Sequence, residues 1–260
     1  MLNCYKCKQY LFLYVYVLLA LVLVLMPLII TLSIGISNVI VAPSVILDIV
    51  KDHKLIESLK NSIFMAFISG SLSLLISVYM ALNWFYGKKS RLLIIFIMLV
   101  MALVPADIYA IGVQYVFNGM FGIQNASMFV LLLAHCSSSL PYSFVFIIFS
   151  LNMIDKKMLI SSYDIGATDF MTISKIMLPL IYPSIISAYI LSFIISINEF
   201  SRTYYLSGPI RMLSKVVYGA MSSGSSPKIY ILGGASIIAA FIVLSIIIIP
   251  YNYIKKISMN

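Results

Sequence analysis

The run His135-Cys136-Ser137-Ser138-Ser139 is the first place in this 260-residue chain where an imidazole, a thiol and hydroxyls could act together. Nucleophilic catalysis needs a base to take a proton from the hydroxyl or thiol, and a further group to orient that base. No acid is placed in the sequence to orient His135, and no Gly-x-Ser-x-Gly turn presents a serine. His135 therefore reads as a buried histidine hydrogen-bonded to a neighbouring helix, and no catalytic residue is assigned. Cys4 and Cys7 form a Cys-x-x-Cys pair with no second Cys or His pair at zinc-ribbon spacing, so no metal site is assigned. The phosphate loop Gly-x-x-x-x-Gly-Lys-Ser/Thr is absent, and the polar segments are too short for a nucleotide-binding fold. Any ATP is hydrolysed by another chain.

Two isolated carboxylates remain as candidates. Asp107 follows Pro105 in the middle of an apolar run. A carboxylate facing lipid costs several kcal/mol, so beside a proline break it either sits at a helix end in the water interface or lines a solute path. Glu199 closes another apolar run, where it either pairs with Arg202 at the surface or faces the same path. Tyr109, Tyr115, Tyr204 and Tyr205 lie close to these acids in sequence, and an aromatic face attracts an ammonium group.

The elements that hold these residues follow from composition. Hydrophobic residues make up 62% of the chain and charged residues 10%, which excludes an ordinary water-soluble domain. The net charge is +9, but the basic residues fall in short connections and form no stripe for nucleic acid. The apolar runs lack the alternation of barrel strands, so helices are the spanning solution. At about 20 residues per crossing the length holds about six. They are predicted at 11–34, 62–84, 92–117, 128–154, 176–197 and 229–254, in a single transmembrane domain covering 1–260. The first run is longer than the apolar core of a signal peptide and no small-residue cleavage site closes it.

Between the first two spans, Val45 to Leu59 interleaves apolar residues with Asp48, Lys51, Asp52, Lys54 and Glu57, the pattern of an amphipathic surface helix. In the second span Ser69, Gly70, Ser71, Ser73, Ser77 and Ala81 suit close helix packing. Pro141 and the His135–Ser139 group are expected to interrupt the fourth span. With six spans both termini share a side. Lys6, Lys8, Lys88, Lys89, Arg91, Lys156, Lys157, Lys175, Lys255 and Lys256 then lie in short segments on that side, against fewer basic residues in longer loops opposite. The positive-inside rule places that side, with both termini, in the cytoplasm.

The segment 155–175 reads as helix, glycine turn, helix. Ile154, Met158, Leu159 and Ser162 share a face of the first helix, Gly166 makes the turn, and Thr168 or Asp169 caps the second. Its sequence is Ile160-Ser161-Ser162, three residues to Gly166 and Ala167, then Ile176-Met177-Leu178-Pro179 nine residues after the glycine. This spacing resembles the cytoplasmic loop of permease subunits of binding-protein-dependent ABC importers, which reads Glu-Ala-Ala, three residues, Gly, nine residues, Ile-x-Leu-Pro. Asp164, Ile165, Gly166 and Ala167 also look like that family. Glu is replaced by Ile160, and both Ala by Ser161 and Ser162.

The resemblance covers roughly residues 10 to 255 and is strongest to the spermidine/putrescine permease branch. It is carried by Pro105-Ala106-Asp107-Ile108, Leu140-Pro141-Tyr142, Leu191-Ser192-Phe193, Asn198-Glu199-Phe200, Leu206-Ser207-Gly208-Pro209 and Ser226-Pro227. It implies an all-α, six-helix type I importer permease fold, with 155–175 as the cytoplasmic coupling loop. Ile160, Ser161, Ser162, Asp164, Gly166, Ala167, Ile176, Leu178 and Pro179 then form the face that meets the ATPase. It also implies a second, homologous permease, two ATPase subunits carrying ATP and Mg, a solute-binding protein outside, and the bacterial inner membrane. This chain itself is expected to bind no cofactor. Asp107, Tyr109, Glu199, Tyr204 and Tyr205 are the path candidates for a polyamine. In the resembling branch the Glu199 position belongs to an acidic pair, whereas Asn198 precedes it here. Ferric iron, thiamine or another small solute is the alternative cargo, and a stand-alone ion-coupled transporter or an intramembrane enzyme the remote one.

Overall fold

The structure, a computed structural model, describes residues 2–87, 91–120, 122, 127–222, 224 and 227–238, with side chains from residue 14 onward. The side chains of Cys4 and Cys7, the connection residues Lys88 and Lys89, Ser226, and the sixth predicted span beyond residue 238 lie outside the described residues. Contacts divide the chain into two compact units, one of residues 1–53 and 219–260 and the other of Lys54–Tyr218.

In the first unit α1 (Leu2–Val41) runs through Pro27 without a break, and α2 (Ser44–Lys51) follows. A short apolar helix, labelled α12 (Pro227–Ile238), crosses α1 at glycines. A methyl group at Gly35 would lie 2.7 Å from the Tyr230 carbonyl oxygen, so only glycine permits this approach.

The second unit contains α3 (His53–Tyr86), α4 (Arg91–Leu103), α5 (Ala106–Tyr115) and α6 (Met128–Asn152). These are followed by α7 (Lys156–Asp164), α8 (Asp169–Thr172), α9 (Leu178–Ile197), α10 (Ser201–Leu206) and α11 (Leu213–Ser222), of which the part up to Tyr218 belongs to this unit. A π-helical turn, Ile173–Met177, joins α8 to α9. Among the described residues four helical stretches are long and apolar enough to cross a membrane: Tyr14–Val41, His53–Tyr86, Met128–Asn152 and Asp169–Ile197. The α4–α5 pair makes a fifth if it counts as one span.

Hydroxyls hold the interior of the second unit together. Apolar burial gives no net drive between helices already in hydrocarbon, so small residues and hydrogen bonds carry the association. Ser73 Oγ donates to the Cys136 carbonyl at 3.0 Å and Ser77 Oγ to that of Leu140 at 3.1 Å, joining α3 to α6. Ser184 Oγ meets Ser150 Oγ at 2.9 Å, and Ser143 bonds Ser192, joining α6 to α9. Gly70 lets α3 approach the Phe193 backbone. Apolar side chains fill the layers between: Ile147, Leu151, Met177, Ile181 and Met98 in one cluster, Met65, Leu131, Leu206 and Met212 in another.

Three expectations are corrected by the geometry. The amphipathic helix expected over Val45–Leu59 stops at Lys51, because Asp52 takes an extended conformation, and its second half opens α3. Pro141 does not interrupt α6; the helix continues through it, with serine hydroxyls of α3 bonding the Cys136 and Leu140 carbonyls that precede it. The span expected at 92–117 is two helices meeting at 102°, because Pro105 disfavours helical geometry at Val104 and itself takes ψ 135°.

Candidate functional site

The segment 155–175 folds as its spacing predicts, through local bonds. Asp155 Oδ1 accepts from Lys157 N at 2.9 Å and starts α7. At the other end Gly166 N donates to Tyr163 O at 2.9 Å and Ala167 N to Ser162 O at 3.0 Å. This paired closure needs a left-handed residue, and Gly166 supplies it with φ +85°. Thr168 Oγ1 then caps α8 by accepting from Met171 N. Leu159 and Ser162 face inward, with Ser162 Oγ 3.1 Å from Thr172 Oγ1. Ile154 precedes α7, and Met158 turns outward rather than sharing the buried face.

The outward side of this segment is apolar. Ile165 is 86% exposed and Phe170 79%, and Met158, Ile160 and Met171 are exposed with them. Within the segment Tyr163 OH donates to Asp169 Oδ1 at 2.9 Å, and the π-turn that follows is tied to α3, where Tyr86 OH donates to Met177 Sδ at 3.0 Å. Of the loop residues picked from sequence, Ile160, Ser161, Asp164 and Gly166 lie outward, while Ser162 is buried. Ile176, Leu178 and Pro179 begin the long helix.

The path candidates fall in three places. Asp107 lies in the first turn of α5, exposed, where helix dipoles favour a carboxylate. Glu199 lies just past the end of α9, and its partner is Arg202: Nη1 donates to Oε2 at 2.7 Å. Of the two readings of Glu199, the pairing with Arg202 is present but its placement at the surface is corrected, because Arg202 is 6% exposed and the pair is largely buried. The Arg202 guanidinium carbon also sits 5.0 Å from the centre of the Tyr109 ring. Glu199, Arg202 and Tyr109 thus meet. Tyr204 and Tyr205 belong to a separate aromatic group, with Tyr204 packed against Phe200 and Tyr218. Phe200, named in the sequence only within Asn198-Glu199-Phe200, and Tyr218 were not picked as path residues.

His135 on α6 links α9 to α10. Ser69 Oγ donates to Ser196 Oγ, and Ser196 Oγ lies 2.8 Å from His135 Nδ1. His135 Nε2 lies 3.0 Å from Thr203 Oγ1, which donates to the Glu199 carbonyl at 2.6 Å. With each hydroxyl donating once, the relay assigns the ring proton to Nε2 and leaves His135 neutral. The expected buried histidine bonded to neighbouring helices is what the structure contains. Among the described residues no cluster of three His, Cys, Asp or Glu side chains could hold a metal ion.

Long apolar helices joined by hydroxyls, with an ion pair at the end of one and a capped helix-turn-helix between two of them, define a helical membrane-protein domain. The family model for the binding-protein-dependent transport system inner membrane component matches residues 73–257, and the chain belongs to that family. It is an ABC importer permease subunit, a transport component rather than an enzyme. The spermidine/putrescine transport system permease protein PotC of Haemophilus influenzae is 28% identical over 202 residues, covering 76% of this chain and 78% of that one. PotC of Escherichia coli K12 is 26% identical over 183 residues, covering 70% and 69%. A solved bacterial alginate ABC transporter, in complex with an alginate pentasaccharide-bound periplasmic protein, matches with a TM-score of 0.71 at 17% identity, covering 94% of both chains. That likeness shows the fold.

Proposed function

We propose that this chain is one of two homologous permeases in an importer that moves polyamines across a bacterial inner membrane. The observation that carries the reading is the similarity to spermidine/putrescine permeases over about three-quarters of the chain. The capped loop 155–175, with the family spacing, supports a coupling role: Ile160, Ser161, Asp164, Gly166 and Ala167 face the ATPase, which holds ATP and Mg. Six spans with both termini in the cytoplasm accord with the density of basic residues in the short segments. ATP draws two ATPases together, the helix-turn-helix moves with them, and the spans open toward a solute-binding protein outside. Hydrolysis returns the path to the cytoplasmic side. Coupling of this kind requires the loop to be held differently in the two states.

Asp107, Glu199 with Tyr109, and the aromatic residues Tyr204 and Tyr205 are assigned to the path. The test is uptake of labelled spermidine and putrescine by cells with or without this chain and its partner subunits. Ferric iron and thiamine are tried in parallel. ATP-dependent polyamine uptake that requires the chain supports the reading. Uptake of iron or thiamine alone discards the cargo and keeps the importer, an outcome that Asn198 in place of a second acid makes worth including.

A further inference from the structure

The two kinds of group that best hold an ammonium meet just beyond α9, and both already hold a cation of this chain. Arg202 Nη1 is 2.7 Å from Glu199 Oε2, and its guanidinium carbon is 5.0 Å from the Tyr109 ring centre. A carboxylate beside an aromatic face is a general recognition site for alkylammonium ions. The Arg202 fit is incomplete, since its Nε–H is buried without an acceptor. A buried donor left unmade is costly, so the guanidinium is less well satisfied here than in a site built only to anchor it. Glu199, by contrast, is fully used: Oε2 takes the guanidinium and Oε1 accepts from Arg202 N at 3.2 Å.

We infer that Arg202 is a tethered cation, occupying the Glu199–Tyr109 site in this conformation and giving it up to an ammonium group of the transported solute. The inference rests on the polyamine reading above. An empty carboxylate and ring, shielded from water, would bind a dication tightly. A transport pathway needs sites that release as readily as they accept. Exchange of one cation for another keeps Glu199 paired throughout and makes the step shallow. Arg202 is then a specificity-determining residue, because a neutral or anionic solute offers nothing to replace it.

The experiment measures binding of labelled putrescine to the purified permease–ATPase complex without the solute-binding protein, so that the affinity is the permease's own. Maximal uptake is followed in cells. Arg202→Gln is expected to tighten binding by about fivefold and to slow maximal uptake, whereas Glu199→Gln weakens binding by a similar factor. Arg202→Lys keeps a tethered cation and stays near the parent in both. If Arg202→Gln and Glu199→Gln instead both reduce the amount of complex, with affinity unchanged and the amount restored in the double variant, the pair is a structural brace and the inference is overturned. Shifts opposite to those expected also overturn it, by making Arg202 the contact for an anionic solute. Absence of polyamine uptake by the parent protein removes the proposed cargo and this inference together. Parent uptake with unmoved affinities removes only the inference.

Discussion

Tyr163 donates its phenol proton to Asp169 Oδ1 at 2.9 Å, bridging α7 and α8 across the Gly166 turn. The bond closes the elbow from its open side, while Ser162 and Thr172 close it from the buried side. The two helices therefore move as one piece, which a lever between an ATPase and a membrane span requires. A hydrogen bond of this kind contributes about 1 kcal/mol net. Tyr163→Phe is expected to leave assembly intact and to lower the solute moved per ATP hydrolysed. Uptake and ATPase rates measured on the same membranes check this, and an unchanged ratio would remove the bridge from the coupling.

Gly166 is the less forgiving position. A methyl group there would meet no atom within 4 Å, so the demand is conformational rather than steric. At φ +85° an alanine costs roughly 1–2 kcal/mol, and the loop should bend but form. Proline cannot take a positive φ and also removes the N–H that bonds the Tyr163 carbonyl at 2.9 Å. Gly166→Pro is expected to abolish uptake with the protein still in the membrane, and Gly166→Ala to reduce it partly. Immunoblotting of membranes beside uptake separates loss of coupling from loss of protein.

These loop features were legible because they are local. A helix cap, a glycine turn and a fixed spacing to Leu178-Pro179 are written within one stretch of chain, and the bonds that realise them span few residues. The break at Pro105 was visible as a residue type but not as an angle, since a proline permits anything from a gentle kink to the 102° turn found. Arg202 as a surface partner of Glu199 was one of two readings open in the sequence, because spacing gives proximity without depth. Its burial comes from Tyr109, more than ninety positions earlier on α5, a contact that no periodicity encodes.

His135 illustrates the same limit from the polar side. It bonds Ser196 and Thr203 on either side, and replacing it leaves two buried hydroxyls to find other partners. His135→Ala is expected to destabilise the assembled complex by about 1–3 kcal/mol, since it opens a cavity and breaks the relay from Ser69 to the Glu199 carbonyl. The melting temperature of the detergent-purified complex reads this directly. A proton-transfer role would instead abolish uptake without lowering the melting temperature.

Asp107 stands apart from the Glu199–Arg202 pair, exposed at the start of α5 where the chain turns by 102°. Among the described residues no ion pair holds it, and its charge is free to act on a passing solute. Asp107→Asn keeps the shape and the helix start while removing the charge. Uptake is expected to fall several-fold with assembly and basal ATPase activity close to the parent, an effect of roughly 1 kcal/mol for one half-screened charge. Equal loss of uptake and assembly would make the residue a helix-end carboxylate and no more.

The outward face of the loop makes a prediction about salt. Where the related importers carry an acid, Ile160 is exposed, and Ile165, Phe170, Met158 and Met171 extend the apolar surface around it. Burying such side chains contributes about 25 cal/mol per Å² of apolar area, a term that salt does not screen. If this face meets the ATPase, the two should copurify equally well at low and high ionic strength. Phe170→Ser should release the ATPase while leaving the permease in the membrane, because it removes the largest exposed ring from the contact. Release of the ATPase by salt alone would show instead that ionic pairs through Lys156, Lys157 or Asp164 hold the two together, with the apolar side chains resting against lipid.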